Sequence, residues 1–170
     1  RYYKTLLASY DNDHETAIKH FLQAYLACIT FMDEQVGKVI DTLDSHTELK
    51  NNTMVVFTAD HGWQMGEKSY LFKNSPWEES VRIPLIIRQP NNKHNGSEIV
   101  HPVSLIDIYP TFIDYARLTG DHKKNSKGGK LGGYSLRAFL ENPDSKQWQG
   151  PNGALTVIGN YHQVTNIDAV

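Results

Sequence analysis

An aspartate and a histidine stand side by side at Asp60 and His61, and a lysine, Lys73, follows in the next polar loop. A carboxylate oxygen and a neutral imidazole nitrogen are ordinary ligands, and adjacent side chains at a turn can both reach one cation. Two ligands do not make a site. Taken alone, Asp60-His61-Gly62 reads equally as a turn in which the Asp side chain bonds nearby backbone amides. Lys73 alone is a solvated surface charge, and Lys68 beside Glu67 is a loop pair worth little. The ordered combination is far more specific than its pieces: Asp60-His61-Gly62, Gly66-Glu67, a lysine, Glu78-Glu79-Ser80, and Arg82-Ile83-Pro84.

These residues need elements to hold them. The run Thr53 to Thr58 is β-branched and aromatic without polar alternation, which predicts a strand buried on both faces. It stops at Asp60-His61, and in open parallel sheets ligands bind outside the carboxyl ends of strands. Gly62 permits a sharp turn there. A second apolar run, Ile83 to Ile87, returns to the same sheet. Upstream, Ile18, Phe21, Leu22, Tyr25, Ile29, Met32, Val36, Val39, Ile40 and Leu43 recur at helical steps. They predict one long amphipathic helix from Asp11 to Leu43, capped near Asp11 to Asp13 with Glu15 in its early turns. Cys28, between Ala27 and Ile29, reads as a small buried apolar residue. Ser45 to Asn52 is a loop, so helix, loop and buried strand make half of a right-handed parallel crossover.

Beyond Arg88, residues 89–96 form a surface loop, and a short strand is expected over Ile99 to Val103. Ser104 and Asp107 have capping-box spacing, opening a helix that runs to Gly120, with Pro110 predicting a kink or a later start. Asp121 to Gly133, with Lys123, Lys124, Lys127 and Lys130, reads by default as a solvated loop, with an anion-binding loop as the alternative that its charge alone supports. Ser135 to Leu140 predicts a short helix and Leu155 to Ile158 a last strand.

Composition bounds the class. At 170 residues and 39% hydrophobic content, the chain suffices for one globular core. A formal charge of -2 with interspersed signs argues against a nucleic-acid binder. No apolar run is long enough to span a bilayer. The single cysteine excludes an internal disulfide and a multi-cysteine zinc site.

From Tyr25 to Leu140 the sequence resembles the sulfatase family, whose catalytic domain has an alkaline-phosphatase-like α/β fold with a central, mostly parallel sheet flanked by helices. The matching residues are Phe57-Thr58-Ala59-Asp60-His61-Gly62, Gly66-Glu67, Lys73, Glu78 to Ile87, and Val103 to Thr111, preceded by Tyr25 to Asp33 with Val36-Gly37. The resemblance implies that Asp60 and His61 ligate a divalent cation, usually Ca2+, and that Lys73 contacts the sulfate group near its leaving oxygen. Lys68 stands where many members carry a histidine, and is a candidate substrate contact. Sulfatases use a formylglycine made from Cys or Ser in a Cys/Ser-x-Pro/Ala-x-Arg motif. That motif is not among these residues, and the family's N-terminal aspartate ligands are missing too. The 170 residues are therefore expected to be the C-terminal part of one catalytic domain, incomplete at both ends and inactive without the remainder. The family implies a periplasmic or secreted location.

Two other functions fit the same residues: a phosphatase or phosphonate monoester hydrolase of the same superfamily, and a non-catalytic metal-binding domain. Trp63, Gln64, Tyr70, Phe72 and Trp77 suit a sugar ring, which makes a carbohydrate sulfate the first expectation; aromatic packing inside the loop explains them equally. His162, after Gly159-Asn160-Tyr161, is either a substrate contact or a surface histidine.

Overall fold

A computed structural model describes residues 2–123 and 125–157. They form two compact units, residues 2–91 with Val157, and residues 92–156, where a single core was expected. His162 and the end of the last expected strand, Ile158, lie outside the described residues.

The first unit opens with helix α1 (Tyr2–Ala8) and the long helix α2 (His14–Ser45). Asp13 caps α2. Its Oδ2 accepts from the Thr16 hydroxyl at 2.7 Å and its Oδ1 from the Thr16 amide at 3.2 Å. Those bonds hold its carboxyl below the usual carboxylate range. Asp11 and Asn12 turn the chain between the helices at left-handed φ values of 50° and 63°, which short polar side chains tolerate. Only Ala17 of α2 is buried. Leu22, Tyr25, Ile29 and Met32, on the predicted apolar stripe, remain 36–40% exposed. Cys28 is exposed as well, contrary to expectation, because no described element covers that length of the helix. A four-residue helix, α3 (Thr47–Lys50), interrupts the segment read as a loop.

Strand β1 (Val55–Thr58) forms within the predicted run and pairs with β4 (Leu85–Arg88), Val55 facing Arg88 and Thr58 facing Leu85. The return to one sheet is as expected. The direction is not: this pair is antiparallel, as is the short pair β2 (Gln64–Met65) with β3 (Leu71–Phe72). No parallel pair occurs among the described residues. β1 is also not buried on both faces; Val55 to Phe57 are half-buried and Thr58 is exposed. Apolar content records what a strand can bury, whereas pairing direction depends on which strands arrive beside it. Arg88 at the end of β4 forks onto Asp44 of α2, with N···O distances of 3.0 and 2.9 Å, so helix and sheet are pinned together.

No strand forms over Ile99 to Val103 in the second unit, nor over Leu155 to Val157. A 3-10 turn (Leu105–Asp107) leads directly into α5 (Ile108–Ala116), and a short helix, α6 (Arg137–Glu141), follows. The Ser104/Asp107 capping arrangement forms, with Asp107 Oδ2 accepting the Ser104 amide at 2.8 Å. Pro110 lies in the first turn of α5, where an N–H has no intrahelical partner to lose, so a later start replaces the kink. The helix ends earlier than Gly120, at Arg117, which is left-handed with φ 49°. Asp107 is buried. Its Oδ1 also accepts the Tyr134 amide at 2.8 Å, and its carbonyl accepts the Thr111 hydroxyl at 2.6 Å. The Thr111 oxygen in turn accepts the Leu136 amide at 2.9 Å, closing α5 and α6 around Leu136, Phe139 and Leu140.

Candidate active site

β1 delivers Asp60 and His61 just past its carboxyl end, and the β2–β3 hairpin delivers Lys73 immediately after Phe72. The three groups meet. His61 Nε2 lies 2.9 Å from Lys73 Nζ and 3.4 Å from Asp60 Oδ2. His61 Nδ1 lies 2.9 Å from the Gly62 carbonyl oxygen, which can only accept, so Nδ1 carries the proton. Nε2 then presents a lone pair, and the Lys73 ammonium donates to it. The imidazole is 29% exposed and the Asp60 carboxylate 85%, so a charged ligand reaches both without crossing a buried layer.

The turn under these residues is tightly seated. Gly62 donates its N–H to the Ser80 carbonyl at 2.8 Å. A Cβ on Gly62 would sit 2.2 Å from the Glu79 carbonyl oxygen and 3.0 Å from that of Arg82. The glycine therefore serves close approach to the turn of helix α4 (Glu78–Val81) rather than an unusual backbone angle.

The hairpin loop is strained. Gly66, Lys68, Ser69 and Phe72 have φ values of 119°, 53°, 57° and 75°. For the three that are not glycine this conformation costs on the order of 1–2 kcal/mol each. Packing holds it: the Phe72 ring meets Tyr2, Trp63 and Phe21 with centroids 5.1, 5.2 and 6.2 Å away.

Lys68 does not join the trio. Its ammonium lies over the Trp77 ring, 4.4 Å from the centroid. Glu67 is not its partner either, since Glu67 Oε2 accepts the Met65 amide at 2.7 Å and so closes the loop on itself. Among the expected sugar-facing residues, Gln64 is fully buried, and Phe72 and Trp63 pack within the loop. Trp63 also stacks beside His61, its ring centroid 6.1 Å away, while Tyr70 and Trp77 keep exposed surface. Ser75, buried with Ser80 beside Gln64, has no signal in the sequence. Ser80 stood inside the Glu-Glu-Ser signal, but nothing in the residue types alone revealed what the hydroxyl holds.

A divalent cation fits this donor set in part. An exposed carboxylate and an imidazole whose far nitrogen is fixed by a backbone carbonyl are the arrangement a metal-binding histidine commonly has. No third His, Cys, Asp or Glu stands with them among the described residues, and Ca2+ takes about six to eight oxygen ligands, so further donors have to join.

An acid, an imidazole and an ammonium group gathered at a strand end are groups that together can bind a cation and an anionic oxygen. The family model described as Sulfatase matches residues 1–118, and the chain belongs to the sulfatase family. A sulfatase of Formosa agariphila is 37% identical over 109 residues, covering 64% of this chain and 21% of that protein. The N-acetylglucosamine-6-O-sulfatase of Bacteroides thetaiotaomicron is 33% identical over 124 residues, covering 73% and 21%. Among solved structures, a protein in complex with its substrate D-glucosamine-2-N,6-O-disulfate superposes with a TM-score of 0.65 at 32% identity, over 75% of this chain and 24% of that one. The phosphonate monoester hydrolase of Silicibacter pomeroyi does so with a TM-score of 0.67 at 30% identity, over 78% and 24%. The chain thus shares the α/β fold of these hydrolases while spanning about a fifth to a quarter of their length.

Proposed function

We propose that these residues are one part of a sulfuric ester hydrolase, and that the full-length protein cleaves a sulfate monoester on a carbohydrate with help from a divalent cation, Ca2+ by family expectation. The observation that carries this is the convergence of Asp60, His61 and Lys73 within hydrogen-bonding range. Asp60 and His61 would hold the cation, which polarises the sulfate oxygens when bound. Nε2 has one lone pair to give, to Lys73 or to a cation; given to a cation, it leaves the Lys73 ammonium free for an anionic oxygen. S–O cleavage builds charge on the leaving oxygen, so an ammonium aimed there stabilises the transition state more than the bound ester.

The nucleophile, a formylglycine by family expectation, would come from residues outside this chain, as would the remaining cation ligands. These 170 residues alone are then inactive. The central, mostly parallel sheet of an alkaline-phosphatase-like domain would be completed by the same remainder. The exposed stripe Leu22, Tyr25, Ile29 and Met32 supports such a partner, since apolar surface in water is unfavourable by about 25 cal/mol per Å2. A sugar sulfate is supported by the relative named for N-acetylglucosamine 6-O-sulfate and by the neighbour solved with a sulfated glucosamine. Lys68 over Trp77 offers an exposed cationic ledge to the outer part of such a substrate. We place the enzyme in the periplasm or outside the cell on family grounds; no helix among the described residues is long and apolar enough to cross a membrane.

Lys73→Ala in the full-length protein should lower kcat about a hundredfold, the effect of losing a donor worth ~3 kcal/mol. Lys68→Ala should act mainly on KM. Near-normal turnover by Lys73→Ala would remove Lys73 from the site. A second possibility, phosphoryl or phosphonyl transfer, is favoured by the likeness to a phosphonate monoester hydrolase. Parallel assays on aryl sulfate and aryl phosphate, with calorimetry of Ca2+ binding to wild type and His61→Ala, decide between them.

A further inference from the structure

Between the histidine turn and the lysine loop, one side-chain junction carries the connection. Gly62, next to His61, donates to the carbonyl of Ser80 at 2.8 Å, and Ser75 donates its amide to the carbonyl of Lys73 at 2.8 Å. The side chains of Ser75 and Ser80 meet with their oxygens 2.7 Å apart, and the Ser75 hydroxyl donates to Gln64 Oε1 at 2.6 Å. Gln64, Ser75 and Ser80 are 0%, 5% and 3% exposed, so the junction is sealed from water, where hydrogen bonds are strongest and most costly to leave unmade. The hydroxyls have a consistent order: Ser80 donates to Ser75, and Ser75 to the Gln64 carbonyl. Gln64 is the fully buried residue that faces Phe72 across the hairpin.

We propose that Gln64, Ser75 and Ser80 are positioning residues that set Lys73 against the Asp60–His61 turn, acting on ester cleavage only through the lysine. This rests on the role given to Lys73 above. Its two backbone ends attach to the neighbours of His61 and to Lys73 itself, so removing a hydroxyl frees the lysine loop to relax away from His61. Displacements of about 1 Å at a reacting group can cost on the order of a hundredfold in rate. Partial relaxation of a loop still pinned at Phe72 predicts a smaller loss, about tenfold.

The test uses Ser75→Ala and Ser80→Ala in the full-length protein, each alone and combined with Lys73→Ala, on two substrates. A sugar sulfate has a poor leaving group that depends on the ammonium; 4-nitrophenyl sulfate has a good one that needs it little. We expect kcat on the sugar sulfate to fall about tenfold and on 4-nitrophenyl sulfate by less than about twofold, with KM nearly unchanged. With Lys73 already replaced, the serine change should have almost no further effect, as expected of residues acting as one unit. An equal loss on both substrates, or losses that multiply in the double variants, would make the junction a structural element only and overturn the proposal. If one variant fails to accumulate folded, the other carries the same comparison. Should Lys73→Ala itself turn over both substrates normally, the role of the lysine fails first, an outcome distinct from additivity.

Discussion

Replacing Gly62 by alanine tests how closely the site depends on the seat beneath it. The added Cβ would stand 2.2 Å from the Glu79 carbonyl oxygen, with the Arg82 carbonyl oxygen at 3.0 Å. Carbon and oxygen rest at about 3.3 Å or more, so the turn must withdraw from α4 by about 1 Å. Both obstructing atoms are backbone, so no side chain can swing aside. The Gly62 N–H bond to Ser80, now 2.8 Å, would stretch beyond hydrogen-bonding range over the same displacement. Overpacking of this kind costs about 1–3 kcal/mol in stability. His61 moves with the turn, away from Lys73, and a 1 Å error there is worth on the order of a hundredfold in kcat/KM. Thermal unfolding and sugar sulfate turnover of the full-length variant measure the two effects separately. A Gly62→Ala protein with wild-type melting and turnover would show that the turn has slack, and the close-approach reasoning would be wrong.

Asp107 anchors the second unit, so Asp107→Ala, which strands the part-buried Tyr134 and Ser104 amides, should lower unfolding free energy by about 1–3 kcal/mol in urea titration. A loss below about 0.5 kcal/mol would mean those amides find water instead. Acid should weaken both units. The Arg88 hydrogen bond holds the Asp44 carboxyl below its ordinary value, and the Ser135 hydroxyl, then Arg137, do the same for Asp114. A depressed carboxyl contributes stability that is complete above its ordinary value, near 3.8, and is lost as pH falls through the folded value. Urea midpoints should therefore drop from about pH 5 downward, and less steeply in Asp44→Asn and Asp114→Asn; unchanged slopes in both variants would exclude these pairs as the source.

Local chemistry was legible in the sequence where it is self-contained. The cap at Asp13, the span of α2, the Ser104/Asp107 arrangement and the short helix after Ser135 each depend on residues within a turn of one another. The strand at Val55 to Thr58 was legible for the same reason. Its antiparallel partner was not, because apolar runs carry no direction. Burial failed for Cys28 and for the faces of β1, since periodicity shows which residues could be covered and not what covers them. Asp60, His61 and Lys73 were legible as types; the bond between the last two, closed by hairpin geometry, had no signature in spacing alone.

The choice between the two lysines shows what supplies that missing information. β2 and β3 pair Gln64 with Phe72 and Met65 with Leu71, so Lys68 falls at the midpoint of the hairpin, at its tip. Continuing the same register outward sets Lys73 opposite Trp63, two residues from His61. Each residue along a strand advances about 3.3 Å, so the tip lies on the order of 10 Å beyond the level at which Lys73 leaves the sheet. Lys68 accordingly meets Trp77, while Lys73 meets the imidazole. A register slip of one residue would turn Lys73 to the opposite face and strand His61 without its donor. Gly66 with φ 119°, which opens the turn at the required point, and the buried Gln64 fix that register, so the glycine and glutamine that do no chemistry decide which ammonium can do it.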